Sequence, residues 1–148
     1  MLRVSGKLRR HPSPRHSPGG IDSSGLVIYE TTQKITCDVS TICMGKAAGV
    51  AAIILAGGTH GKRFAFPNSR IMLTKIFGSL ESAATDIETV VQESITLKTI
   101  LKAIIGQAFD RIDRDTGNNF LLFADEALAY GFVDAVLHPQ NTRTSHPG

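Results

Sequence analysis

The residues able to do chemistry in this chain are few and widely spaced. Ser17-Pro18-Gly19-Gly20 stands just ahead of a helical pattern. Paired glycines there let backbone amides converge on a negative oxygen, as an oxyanion hole requires. Taken alone, the tetrapeptide reads first as a turn. His60, between Gly58 and Gly61, reads as a solvated turn residue rather than a general base. Lys46 reads as a solvated charge at a helix start rather than a nucleophile. Cys37 and Cys43 are too few for a disulfide framework or a metal box, and such usage fits a reducing compartment. No Gly-x-Ser-x-Gly elbow occurs. Residue by residue, no reaction is specified.

The elements that must position these residues follow from pattern. Residues 1–16 hold basic side chains and two of the six prolines without an apolar period, and read as a disordered basic lead-in. Acid-poor, Arg- and Ser-containing starts also occur in organelle transit peptides, but proline spoils the amphipathic helix these need. Ser23 or Ser24 can cap a short helix through Leu26, Val27 and Tyr29 toward Gln33. Val39 to Met44 is short and β-branched, as a buried strand should be. Gly45 to Gly58 reads as a small-residue helix able to press close to a neighbour. Lys62 to Phe66 and Arg70 to Leu73 read as strands around a Pro67-Asn68 turn. From Thr85 to Ile105, Ile87, Val90, Val91, Leu97, Ile100, Leu101, Ile104 and Ile105 recur at three- and four-residue steps, and Lys98 and Lys102 suit the end of a helix. A last helix over Asp125–Tyr130 stops at Gly131 and feeds a strand over Phe132–Leu137. The alternation predicts an α/β domain over residues 17–138, followed by a flexible tail over 139–148.

Charge narrows the partners. The chain has 148 residues and a net charge of +3, yet Arg3, Lys7, Arg9, Arg10 and Arg15 all fall in the lead-in. The other 132 residues carry 11 basic and 13 acidic groups, so a nucleic-acid-binding face is not expected. The longest apolar run, Ala47 to Gly58, is 12 residues, against roughly 20 for a membrane-spanning helix.

The order of five segments says more than any one of them. Ser17-Pro-Gly-Gly20 is followed by Cys37-Asp-Val-Ser-Thr-Ile-Cys-Met-Gly-Lys-Ala-Ala48 and Gly61-Lys-Arg-Phe-Ala-Phe-Pro-Asn-Ser-Arg-Ile-Met72. Ala84-Thr-Asp-Ile-Glu88 and Glu126-Ala-Leu-Ala-Tyr-Gly-Phe-Val-Asp134 complete the series. Together they resemble the ClpP family, the proteolytic subunits of ATP-dependent Clp proteases, over about residues 17–137. The resemblance implies a ClpP/crotonase-like fold of stacked β-α units with a long handle helix. It also implies heptameric rings stacked around a chamber, fed by an Hsp100-class AAA+ unfoldase.

In that family the nucleophilic serine follows Met-Gly-x-Ala-Ala; here Met44-Gly-Lys-Ala-Ala48 is followed by Gly49. The family's base is the histidine two residues after the Met of Ser-Arg-x-Met; here that position is Thr74. The orienting aspartate falls on Asn119, within Arg114-Asp-Thr-Gly-Asn-Asn119. Glycine offers no attacking atom and threonine accepts no proton near neutral pH, so acyl-enzyme chemistry lacks both nucleophile and base. The oxyanion amides that the resemblance assigns are those of Gly20 and Val50.

The resemblance therefore implies a catalytically inactive subunit, similar to the ClpR subunits that share rings with active ClpP subunits in cyanobacteria and plastids. Its partners would be ClpP-type paralogues and the unfoldase, with no cofactor, metal, nucleic acid or membrane, in a bacterial cytoplasm or plastid stroma. Thr85, Asp86, Glu88 and Asn118 fall at positions associated with assembly; Asn118 stands where the family has an arginine that locks ring to ring. Relative to the family, the handle helix is about one turn short, and the N-terminal part, with its gating loop, is absent or replaced by residues 1–16. Two alternatives are an active peptidase or a crotonase-like acyl-thioester enzyme using the Gly19 and Gly20 amides, and an unstable fragment.

Overall fold

A computed structural model describes residues 2–5, 21–73 and 87–139. Strand β1 (Leu2–Ser5) is followed by helix α1 (Ile21–Lys34), strands β2 (Ser40–Cys43) and β3 (Lys46–Ala48), and helix α2 (Val50–Ala56). Then come β4 (Arg63–Ala65), β5 (Arg70–Leu73), α3 (Ile87–Ile105), α4 (Phe109–Gly117), β6 (Phe120–Phe123), α5 (Ala124–Tyr130) and β7 (Ala135–Val136). The strands form two sheets, ordered β1-β2-β4-β7 and β3-β5-β6. In the first, β2, β4 and β7 run parallel and β1 lies antiparallel on the edge of β2, with Leu2 opposite Cys43. In the second, β3 and β5 are parallel and β6 is antiparallel to β5.

Helix α2 is buried along nearly its whole length, at Val50, Ala52, Ile53, Ile54, Leu55 and Ala56. It packs into one core with Ile71 and Leu73 of β5, Leu101 of α3, Ile112 of α4 and Phe132 and Val133. Helix α1 crosses it at close range because Gly25 meets Val50: a Cβ on Gly25 would lie 2.4 Å from Val50 Cγ2. Further along, Gln33 Nε2 donates to the Gly57 carbonyl at 2.7 Å. Two buried hydroxyls bond across elements, Thr41 Oγ1 donating to Leu55 O and Ser69 Oγ to Cys43 O, each at 2.7 Å.

Several expectations are corrected. The Gly45–Gly58 segment is not one helix: Lys46–Ala48 is a strand paired with β5, and the helix begins only at Val50. Alanine is compatible with both states, and pairing with β5 decides. Lys46 is accordingly an exposed strand residue, not a helix start. Helix α1 begins at Ile21, before the serines expected to cap it, so the Gly25 crossing lies inside the helix. Leu2–Ser5 forms a strand inside the segment expected to be disordered; Leu-Arg-Val-Ser alternates apolar and polar, as an edge strand does. The two strands expected around Pro67-Asn68 are present, as β4 and β5, and they belong to different sheets. The last strand contracts to Ala135–Val136, and α4 and β6 were not foreseen.

A buried ion pair ties the first sheet to the helices. Arg63, 3% exposed, donates Nε to Asp134 Oδ2 at 2.9 Å and Nη2 to Asp134 Oδ1 at 2.7 Å. Its Nη1 reaches the carbonyls of Ala56 and Gly131, both at 3.1 Å. The Gly61 and Arg63 amides also donate to Asp134 Oδ2. The Arg63 guanidinium, bonding and attracting the carboxylate, outweighs burial and holds Asp134 down at about 2, against 3.8 ordinarily.

Removing one partner should show what the pair holds. Asp134→Asn leaves the guanidinium buried without its counter-charge and should cost about 3–5 kcal/mol in urea unfolding followed by circular dichroism. The unfolded carboxyl takes up a proton more readily than the folded one, so the wild-type contribution is complete above pH ~4 and fades as pH falls toward 2. The gap between wild type and Asp134→Asn should narrow over that acid window.

Candidate functional site

One end of the β3-β5-β6 sheet gathers two of the three positions expected to form the site. Ala48 lies opposite Met72 in the parallel β3–β5 pair, and the Gly49 amide donates to the Met72 carbonyl at 3.1 Å. Gly49 therefore stands just beyond the strand ends and turns the chain into α2. It does so at φ 58, ψ −125, a sharp strand-to-helix elbow that glycine enters freely and other residues enter only under strain. On the other side, β6 runs antiparallel to β5 with Phe120 opposite Leu73. That register brings Asn119, which precedes β6, to the end where β5 finishes. Asn119 has φ 51, in the left-handed region that asparagine tolerates better than most residues. Asn118 beside it is the exposed C-cap of α4.

Thr74 and Gly20 lie outside the described residues, as do Thr85 and Asp86. Glu88 is the second residue of α3. Val50 is the buried first residue of α2, with its side chain against Gly25. His60 is not at this end. It sits beyond the far end of α2, whose seven residues rise about 10 Å. Its side chain is 77% exposed, and Nδ1 lies 3.3 Å from Arg63 Nη2, so it belongs to the Arg63–Asp134 cluster.

The chemistry available at the elbow follows from these side chains. Gly49 presents no atom that could attack a carbonyl. Asn119 presents a neutral carboxamide, which can neither stabilise an imidazolium by charge nor act as a base. Among the described residues, no group of three or more His, Cys, Asp or Glu is placed to hold a metal ion.

A second polar cluster escaped the sequence reading. Tyr130, 3% exposed, donates its hydroxyl to Asp115 Oδ2 at 2.7 Å. Burial first, and the Asp115 hydrogen bond and charge next, push its phenol well above the usual tyrosine range. The Arg111 guanidinium lies 4.6 Å from the Tyr130 ring centre. Arg111 also donates to Gln107, whose Nε2 bonds the Tyr130 carbonyl. The cluster locks α4 to α5 and so braces the turn that carries Asn118 and Asn119. Its only sequence signal was a tyrosine in the last turn of a helix, which by itself predicts burial rather than a partner.

The family model described as Clp protease matches residues 16–140, well over half of the chain. The chain belongs to the Clp protease family. The expected α/β fold is met as well, in five helices and two small sheets among the described residues. In this Clp protease family chain the two described positions at the sheet end that carries the elbow offer a glycine and a carboxamide. No helix among the described residues is long and apolar enough to cross a membrane.

The elbow invites a direct test. Gly49→Ser should fold but lose about 1–3 kcal/mol to backbone strain. It should hydrolyse a fluorogenic peptide no faster than the parent chain, because triad members act as a unit. Hydrolysis above background by the single variant would place another base within reach; the expectation is that Thr74→His and Asn119→Asp are required alongside it.

Proposed function

We propose that this chain is a non-catalytic, ClpR-like subunit of a Clp protease core, contributing contacts to the ring and none of the chemistry. The observation that carries the reading is the elbow at Gly49: its backbone is shaped and braced by the Met72 carbonyl, yet it holds no side chain. Asn119 at the same sheet end and threonine at position 74 of the sequence support it. A site eroded at random would be expected to lose its supporting geometry along with its reactive groups.

Membership of the family brings ClpP-type oligomers and unfoldase partners in general. The specific partners proposed are ClpP-type paralogues in heptameric rings and an Hsp100-class AAA+ unfoldase. Apolar side chains left in solvent support an assembled state: Val27 is 61% and Ile28 42% exposed on α1, and Val91 45% and Ile95 43% exposed on α3. Thr85, Asp86, Glu88 and Asn118 are the assembly positions proposed, within a domain spanning 17–138. The reading calls for no cofactor or metal, and it fits a bacterial cytoplasm or plastid stroma. The Gly20 and Val50 amides are the proposed remnants of the oxyanion hole.

Co-expression with an intact ClpP-type paralogue should give a ring-sized particle containing both chains, seen by native mass measurement. A fluorophosphonate probe should label the paralogue and leave this chain unmarked. Failure of the two chains to co-purify in such a particle would refute the assembly reading. Labelling of this chain would refute the non-catalytic one.

A further inference from the structure

Strand β1 differs in direction from the rest of its sheet. β2, β4 and β7 run parallel, and β1 lies antiparallel on the outer edge of β2. The main-chain bonds of β2 show which of its groups face that edge. The Thr41 amide donates to the Lys62 carbonyl and the Phe66 amide donates to the Cys43 carbonyl, both at 3.0 Å, so Thr41 and Cys43 turn toward β4. Alternation along the strand turns the amides and carbonyls of Ser40 and Ile42 the other way, toward Ser5 and Arg3, their partners in the register.

That edge belongs to a core strand, since Thr41 and Cys43 are fully buried. A bare edge of this kind presents a row of unpaired main-chain groups, which is a template for another strand. The strand that fills it is lightly held. Four residues of β1 pair with one neighbour, and a lone two-strand pairing is marginal in water. Fifteen residues, 6–20, separate β1 from α1. A stretch of that length can span at most roughly 50 Å, enough for β1 to leave β2 while α1 stays in place.

We propose that the outer edge of β2 is a strand-acceptor site, with Leu2–Ser5 as its tethered, displaceable occupant and the same strand of a second copy as its partner in trans. Recognition is by main chain. Arg3 faces Ile42 and Ser5 faces Ser40, and an incoming strand must run antiparallel to β2 to repeat those pairings. The second copy is the occupant favoured because it carries the same four residues, in a register already realised on this edge. The resident strand acts as a plug: a short tether holds it at an effective concentration on the order of millimolar, which a free strand must match to compete. Its release is a local opening that leaves the core around α2 in place. The site is separate from the Gly49 elbow, and the proposal does not rest on the ring reading.

The test is amide hydrogen exchange, read residue by residue on the full-length chain and two variants of it. Arg3→Pro removes the amide that faces Ile42; Val4→Pro removes one that faces away from β2, which an edge strand tolerates. The Ile42 amide should exchange at least tenfold faster in Arg3→Pro than in the parent chain and at about the parent rate in Val4→Pro. The Thr41 amide, bonded toward β4, should stay protected in all three. A millimolar peptide of residues 1–7, standing for the strand of a second copy, should slow Ile42 exchange in Arg3→Pro several-fold. The same peptide carrying Arg3→Pro, and a scrambled one, should not. Ser5→Pro faces the same edge and repeats the test if Arg3→Pro yields no folded protein. Unchanged Ile42 exchange in Arg3→Pro, equal acceleration by Val4→Pro, or loss of Thr41 protection in both Arg3→Pro and Ser5→Pro would each overturn the proposal. So would an Ile42 amide that the peptide leaves unprotected, or that the scrambled peptide protects equally.

Discussion

The Arg63–Asp134 pair is the constraint on which the rest of the structure depends. Arginine is needed there because one planar guanidinium must serve a carboxylate and two carbonyls at once, which a lysine ammonium cannot do with the same geometry. Those partners come from the end of α2, the end of α5 and the approach to β7. The Asp134 amide donates back to the Arg63 carbonyl at 2.7 Å, so β4 and β7 are joined by main chain and side chain together. Burying a charge among fully matched partners leaves little freedom to slide, since any shift strands the guanidinium in a nonpolar setting.

From that anchor the order passes along α2. Its C-terminal end is held by Arg63 and Gly57 contacts, and its N-terminal end by Gly25 of α1 and by the Met72 carbonyl. Strands of both sheets contact the same short helix, so the elbow at Gly49 is fixed by contacts that have nothing to do with chemistry. That separation explains how a scaffold can stay intact while the groups at its working end differ. The Tyr130–Asp115 bond does the equivalent for the turn that bears Asn119.

Elements with one dominant signal were legible in the sequence. The three- and four-residue period of α3 and the left-handed Gly131 after α5 both appear where the pattern placed them. Family membership was legible from the order of five short segments, and the match over 16–140 bears it out. What was not legible depended on tertiary partners. Lys46–Ala48 is a strand only because β5 lies beside it, and β6 exists as the antiparallel edge of the same sheet. Arg63 was visible as part of Gly-Lys-Arg, but nothing local revealed that its charge is buried 71 residues away from its carboxylate. The convergence of positions 49 and 119 needed the register of β5 with both neighbours.

The dihedral angles of Gly49 bear on the history open to such a chain. A side chain at this elbow is held in a conformation that costs free energy, and glycine relieves that cost. Deleting a side chain here is therefore a step that folding favours. Reinstating one is opposed by folding whatever groups stand at the neighbouring positions. As far as folding stability is concerned, the elbow favours the bare backbone over any side chain placed on it.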